Sequence, residues 1–376
     1  MSLLKNNNRY DRQIRLKEFG QTAQYNLNRA KVLVIGAGGL GCPALQYLSA
    51  AGVGTIGIVD FDRVELSNLQ RQILFNMEDI GKLKAESAAA KISALNPEIQ
   101  VHVYSFKITN QNALDIIVEY DIVIDGSDDF ATRYLVNDAC VLLNKPLVYG
   151  AVLRFEGQIG VFNVSNLSTG TKTNYRDLFP VPPASLSNIS CNELGVLGVV
   201  PGIIGTMQAA EAIKILTNIG NPLSNKILTY DVLKNEFYEF QITENKGHSH
   251  QIPKDRTEFQ AYNYEWFCST LEPSLEINST EFNQMRLNEE LTIIDVRELY
   301  EQPVELEFPV IRIPLSRWEE DLHMISTNHK IVVVCQSGVR SLAAVKKLKV
   351  LFPDQYIYSL QSGIHALKNN DKLNLL

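Results

Sequence analysis

Residues 31–41, KVLVIGAGGLG, constrain the fold of this chain more than any other stretch. A short apolar strand runs into Gly36-Ala-Gly38-Gly39-Leu-Gly41, and helix-like periodicity takes over from about Cys42 to Ala51. GxGxxG between a strand and a helix gives a tight turn, close backbone approach to a phosphate, and a helix N-terminus that favours negative charge. The next strand, TIGIVD, ends at Asp60, 19 residues after Gly41, where a carboxylate can accept ribose hydroxyls. This stretch predicts a nucleotide site at one edge of a parallel sheet.

The pattern repeats downstream. A helix over Lys84–Leu95, a strand at Gln100–Tyr104, a helix near Asn112–Val118 and the strand DIVID at 121–125 follow in order. Thr132–Leu143 and PLVYGAV add another helix and strand, so the first part reads as a mainly parallel sheet with helices on both faces. GQIGVFNV then looks like a strand of a different sheet segment, residues 164–192 form a long polar loop, and KILTYDVLKNEFYEFQI resembles a hairpin. The uncharged stretch Leu194–Ala210 is short for a membrane span and contains Pro201, so it reads as a buried loop and helix. Residues 243–272 are polar and lack a sustained apolar period, which marks a linker. LTIIDV, KIVVVC and a helix over Ser341–Leu348 then predict a second, smaller α/β domain. Apolar residues make up 45% of the chain, enough for two separate cores.

The residues around the glycine turn decide which nucleotide. Asn68-Leu-Gln-Arg71-Gln72 follows the ribose acid, Lys84 opens the next helix, and Asp128-Asp129 follow DIVID. Polyphosphate needs cations to offset its charge, and a carboxylate at a strand's C-terminal end can hold Mg²⁺ beside it. The set fits a triphosphate better than hydride chemistry.

These motifs resemble the ThiF/MoeB/HesA family, bacterial relatives of ubiquitin-activating enzymes. RYDRQ at 9–13, GAGGLGC at 36–42, VDFDRVELSNLQRQ at 59–72, GKLKAESA at 81–88, GSDD at 126–129 and CNELGVLGVVPGIIG carry the likeness over roughly residues 5–245. The resemblance implies a Rossmann-like adenylation domain that uses ATP and Mg²⁺ to adenylate the C-terminal glycine of a small ubiquitin-like protein. By motif it implies that Gly36, Gly38, Gly39, Gly41, Asp60 and Asp62 shape the nucleotide site and that Asn68, Arg71 and Lys84 contact the phosphates. The resemblance further implies that Asp128 sits at the metal and α-phosphate and that Arg12 reaches the ATP site of the neighbouring subunit in a homodimer. Many members bind zinc through two CxxC pairs. Here Asn174–Asp177 has no cysteine and only NKGHSHQI stands near 245–252, so no zinc is expected.

The five cysteines are scattered without CxxC spacing, which suits a reducing cytoplasm. Cys335 ends the strand KIVVVC and opens Cys-Gln-Ser-Gly-Val-Arg340-Ser before a helix. Backbone N–H groups, the helix N-terminus and Arg340 favour a thiolate or persulfide anion there. CxxGxR, with IIDVRE at 293–298 and LQSGIHAL at 360–367, resembles a rhodanese domain over about 274–376. That family carries sulfur as a persulfide on this cysteine. Asp295 and Arg297 read as charges supporting the fold. Cys191 occupies the position that in some ThiF relatives bonds to the ubiquitin-like partner. Cys42 and Cys140 read as packing and Cys268 as a bystander in the linker.

Together these features predict an adenylation domain over 1–245, a linker over 246–273 and a rhodanese-like domain over 274–376. The expected reaction is ATP-dependent activation of a ubiquitin-like sulfur carrier ending in Gly-Gly, then persulfide transfer to form a thiocarboxylate for molybdopterin, thiamine or tRNA thiolation. A cysteine desulfurase or another donor would supply the sulfur. Net charge of −7 and the lack of an apolar leader argue against direct nucleic-acid or membrane partners. A nicotinamide-dependent oxidoreductase with a regulatory rhodanese module leaves Arg12, Arg71, Lys84 and Asp128 without a role. A non-catalytic docking module leaves the intact nucleotide and CxxGxR sets unexplained.

Overall fold

The computed structural model describes residues 7–165, 170–180, 195–244, 252–264, 275–303, 306–325, 329–352, 355–365 and 367. The chain divides into two compact units, Met1–Ser269 and Thr270–Leu376.

The first unit is built on an eight-stranded sheet. Its strands are β1 (Lys31–Ile35), β2 (Thr55–Val59), β3 (Gln100–Tyr104), β4 (Ile122–Asp125), β5 (Leu147–Leu153), β6 (Glu156–Phe162), β7 (Lys226–Asp231) and β8 (Glu236–Gln241). The order is β3-β2-β1-β4-β5-β6-β7-β8. The first five are parallel, and β1 registers with β2 from Lys31↔Thr55 to Ile35↔Val59. Both faces of β1, β2 and β4 are buried, which is why they read as continuous apolar runs rather than alternating ones. The last three strands are antiparallel. β6 was expected in a different sheet segment, but it folds straight back on β5 from Leu147↔Phe162 to Leu153↔Glu156 and extends the same sheet. The reversal at Arg154, with φ +53, needs no crossover.

The helix Val199–Thr217 is long and apolar enough, by length and composition, to cross a membrane. Here it packs against β5, β6 and the helix Gly41–Ala51 that follows the glycine turn. A Cβ on Gly205 would fall 2.1 Å from the Leu40 carbonyl oxygen, so glycine is what permits that approach. Buried Gln208 donates to the Asp125 carbonyl (2.7 Å) and stitches the helix to the end of β4.

The expected linker is partly a piece of the first unit. Residues 252–264 contain a helix, Arg256–Ala261, and bury Phe259 and Tyr264 in the core. Asn110 donates to the carbonyls of Gln260 (2.7 Å) and Tyr262 (3.0 Å). Tyr264 donates to Asp138 (3.0 Å), whose carboxylate is also gripped by Arg176 at 2.9 and 2.7 Å, and the guanidinium stacks over Tyr134 and Tyr262. Arg176 and Asp138 are both almost wholly buried. Removing one member of such a pair strands the other charge, so Arg176→Met is expected to cost about 3–5 kcal/mol. Chemical denaturation of the full chain measures this. An unchanged midpoint would refute the role of the pair as the clasp on 252–264.

The second unit is a five-stranded parallel sheet of β9 (Glu276–Ile277), β10 (Leu291–Asp295), β11 (Ile311–Arg312), β12 (Lys330–Val334) and β13 (Ile357–Leu360), ordered β11-β10-β12-β13-β9. Asp295 and Arg297 form a buried bidentate pair at the end of β10, tying that strand to its own loop.

Candidate functional site

β1 ends at Ile35 and the chain enters the glycine turn. Gly36 has φ +88, and a Cβ there would lie 2.8 Å from the Gly126 carbonyl oxygen. A Cβ on Gly41 would lie 1.9 Å from the oxygen of Gly36, so this residue closes the turn on itself. The turn borders a cleft of about 680 Å³ beyond the C-terminal ends of β1, β2 and β4. That is where parallel α/β sheets bind ligands.

Gly36, Gly38, Gly39, Asp60, Asp62, Asn68, Arg71, Lys84 and Asp128 all line this cleft. Gly41 and Arg12 do not. Gly41 belongs to the turn's interior, and Arg12 lies exposed on the helix Asn7–Ile14. Asp60 accepts from the Ala37 N–H and the Asp62 N–H, both at 2.8 Å, so this carboxylate braces the glycine turn. Burial pushes its carboxyl above the usual range, against the pull of Lys84. A carboxylate has about four acceptor positions, which leaves room for ribose hydroxyls. Lys84 is buried and pairs with Asp62 at 2.8 Å. The Asn68 oxygen accepts from the Glu65 N–H (3.1 Å), fixing the short turn Leu66–Asn68 from which Arg71 emerges. Arg71 donates to the Ser67 carbonyl (3.1 Å).

Asp128 is exposed, and among the described residues no cation or hydrogen-bond donor claims it. A hard cation that is otherwise held by substrate phosphates and water needs only such a free carboxylate, so the residues fit Mg²⁺. Asp129 instead caps the helix Phe130–Leu142 by accepting from the Thr132 N–H (2.8 Å).

Arg133 and Gln72 are among the lining residues that have no role in the sequence reading. Arg133 is buried, donates to the Ser127 carbonyl (3.0 Å) and Tyr149 hydroxyl (3.1 Å), and offsets the buried Asp125. Gln72 is 3% exposed, and its Oε1 has no hydrogen-bond partner among the described residues although its amide lies against Gly38. Its position next to Arg71 was the available signal.

In the second unit Cys335 directly follows β12 and is fully buried. Its sulfur accepts from the Gly338 N–H at 3.1 Å and lies 3.3 Å from the Ser341 hydroxyl. Gly338 adopts φ +92, where a Cβ would meet the Ser362 nitrogen at 2.9 Å. The helix Val339–Leu351 starts at once. Arg340 was expected to serve the sulfur. Its guanidinium makes its hydrogen bonds to Glu301, in a bidentate pair at 2.5 and 2.6 Å that keeps the Glu301 carboxyl down at about 2, while its charge still acts on Cys335 through space. A carboxylate is the stronger local acceptor, so it takes both donors of the fork.

Cys42 donates to the Ala37 carbonyl (3.3 Å), and burial pushes its thiol up to about 12. Cys140 is likewise raised by burial, so both act as packing. Cys191, Cys268, His248 and His250 lie outside the described residues. Among the described residues no three His, Cys, Asp or Glu side chains cluster to hold a metal, and Asn174 and Asp177 cap their own short helix. Because the sequence has no CxxC pair to supply four thiolate ligands, a chelator is expected to leave the unfolding midpoint unchanged. A lowered midpoint, with stoichiometric zinc in the purified protein, would overturn this.

Fold and cleft define an α/β protein built to bind a nucleotide polyphosphate. Residues 10–251 match the model of the ThiF family, and the chain belongs to that family. The adenylyltransferase and sulfurtransferase MOCS3 of Drosophila grimshawi is 38% identical over 380 residues, covering 96% of this chain and 84% of the relative. The sulfur carrier protein adenylyltransferase of Thermus thermophilus is 48% identical over 263 residues, 69% of this chain and 96% of the relative. Among solved structures, Escherichia coli MccB with ATP is similar at 25% identity and a TM-score of 0.55, covering 64% of this chain and 73% of that one.

Proposed function

We propose that this chain adenylates the C-terminal glycine of a ubiquitin-like sulfur carrier and then delivers sulfur to it from Cys335. The observation that carries the first step is the convergence of Asp60, Asn68, Arg71, Lys84 and Asp128 on one cleft beside the glycine turn. The relatives' names support the pairing of adenylyl and sulfur transfer.

A carboxylate is a poor acyl electrophile. One of its oxygens attacks the α-phosphorus of ATP, the bond to the β-phosphate oxygen breaks, and pyrophosphate leaves. No base is needed, because a C-terminal carboxylate is already ionised at neutral pH. Arg71 and Lys84 neutralise charge that builds on the phosphates, and Asp60 holds the ribose. Asp128 would hold Mg²⁺, which supplies further charge neutralisation. The Cys335 persulfide then attacks the acyl carbon and displaces AMP, giving an acyl disulfide. A second thiol, for which Cys191 is the candidate, attacks the Cys335 sulfur. This releases the carrier thiocarboxylate and leaves an enzyme disulfide for an external thiol to reduce. A homodimer with Arg12 crossing to the partner's ATP is the assembly that fits its exposed position outside its own cleft. A reducing cytoplasm is the compartment that fits this thiol chemistry.

The test is ATP–pyrophosphate exchange with candidate carriers ending in Gly-Gly. Exchange that requires the carrier, and its loss when the last glycine is removed, is the expected result. Hydride transfer to or from a nicotinamide cofactor without any exchange would overturn the reading.

A further inference from the structure

We propose that Ser341 and Ser359 form a buried hydroxyl relay that donates to the Cys335 sulfur when it is an anion, with Ser341 a catalytic residue and Ser359 its positioning residue. The inference rests on Cys335 being the sulfur carrier. Ser341 stands in the first turn of the helix Val339–Leu351, and Ser359 lies on β13, next to the strand that leads into Cys335. Both are fully buried. The Ser341 oxygen is 3.3 Å from the Cys335 sulfur, 2.9 Å from the Gly338 carbonyl oxygen and 2.9 Å from the Ser359 oxygen.

One hydroxyl proton cannot serve three acceptors at once, so its direction depends on the sulfur. When Cys335 is a neutral thiol, Ser341 donates to the Gly338 carbonyl and the thiol proton turns to the Ser341 oxygen. When the sulfur is a thiolate, that proton is gone and Ser341 turns its own O–H to the sulfur. Ser359 donates to the Ser341 oxygen and strengthens it as a donor. The anion then has two hydrogen-bond donors, the Gly338 N–H and Ser341, while Arg340, whose own hydrogen bonds go to Glu301, acts on it as a charge through space. The charged side chains of this unit's loops make their hydrogen bonds elsewhere among the described residues. Arg340 is paired with Glu301, Arg297 with Asp295, and His365 meets Gln336 at 2.8 Å. A buried anion whose neighbouring Arg340 is shared with a carboxylate depends on such donors.

The experiment follows alkylation of Cys335 in the full chain as a function of pH, read on the Cys335 peptide by mass spectrometry. Each profile is scaled to its own alkaline plateau, which removes changes in access. Ser341→Ala is expected to displace the profile toward alkaline pH by about one unit, because a donor to the charged form is lost. Ser359→Ala shifts it the same way by less, and Ser341→Thr restores it. Transfer of sulfur from thiosulfate to cyanide should fall about tenfold in Ser341→Ala, the rate equivalent of that shift. An unshifted profile in both alanine variants overturns the relay. If wild-type protein transfers no sulfur while Ser341→Ala still displaces the profile, the relay stands and the sulfur-carrier reading fails. Should Ser341→Ala not fold, Ser359→Ala alone decides, and no displacement in it overturns the proposal.

Discussion

Arg71→Ala is expected to lower carrier-dependent ATP–pyrophosphate exchange by about 10²–10³ in kcat, the loss typical of one transition-state charge contact. The guanidinium lines the cleft, and among the described residues it donates to the carbonyl of Ser67 in its own turn. Truncation therefore opens no core and orphans no buried charge. Asp128→Ala should act similarly and for the same reason, since its carboxylate is exposed and unclaimed among the described residues. Lys84→Met is a poorer probe. Lys84 is buried against Asp62, so its loss would mix a stability cost with the catalytic one. The reading requires the unfolding midpoint of Arg71→Ala to match wild type while exchange collapses. Near-normal exchange in both Arg71→Ala and Asp128→Ala would remove these residues from the site.

The nucleotide half of the cleft was legible because it is written in local terms. Apolar runs, a glycine spacing fixed by steric contacts at Gly36 and Gly41, and an acid at a strand end all lie within about thirty residues of one another in sequence. What the sequence hid depends on partners far along the chain. Residues 252–264 read as linker because Phe259, Tyr262 and Tyr264 show no helical period; their burial is set by Asp138 and Arg176, which are local only in space. Arg340 acts on the sulfur as its position in the loop suggests, but only through space, and the Glu301 that takes its hydrogen bonds lies 39 residues upstream in a turn with no pattern of its own. β6 was misplaced for a related reason. A strand's alternation says which face is buried, and only pairing with β5 says which sheet it joins.

Cys335→Ser separates the two chemistries. It should stop formation of thiocarboxylate while the carrier is still adenylated. Adenylation residues belong to the first unit and Cys335 to the second, so acyl-AMP formation does not draw on the sulfur loop. Serine fits the site sterically, but a hydroxyl cannot carry a sulfane sulfur, and at neutral pH an alkoxide is neither nucleophile nor leaving group in exchange. The loss should thus be complete rather than graded, unlike that of Ser341→Ala. Cys191→Ser supplies the contrast. It should adenylate and accept sulfur, and it stalls at the acyl disulfide only if Cys191 is the resolving thiol. Single-turnover mass of the carrier, with ATP and a sulfur donor, distinguishes these species: unmodified, adenylated, disulfide-linked or thiocarboxylated. Normal thiocarboxylate yield from Cys335→Ser would overturn the fused-donor mechanism, because sulfur would then be reaching the adenylate by a route that bypasses the second domain. Normal yield from Cys191→Ser would reassign the resolving step to an external thiol and leave the rest of the sequence of reactions standing.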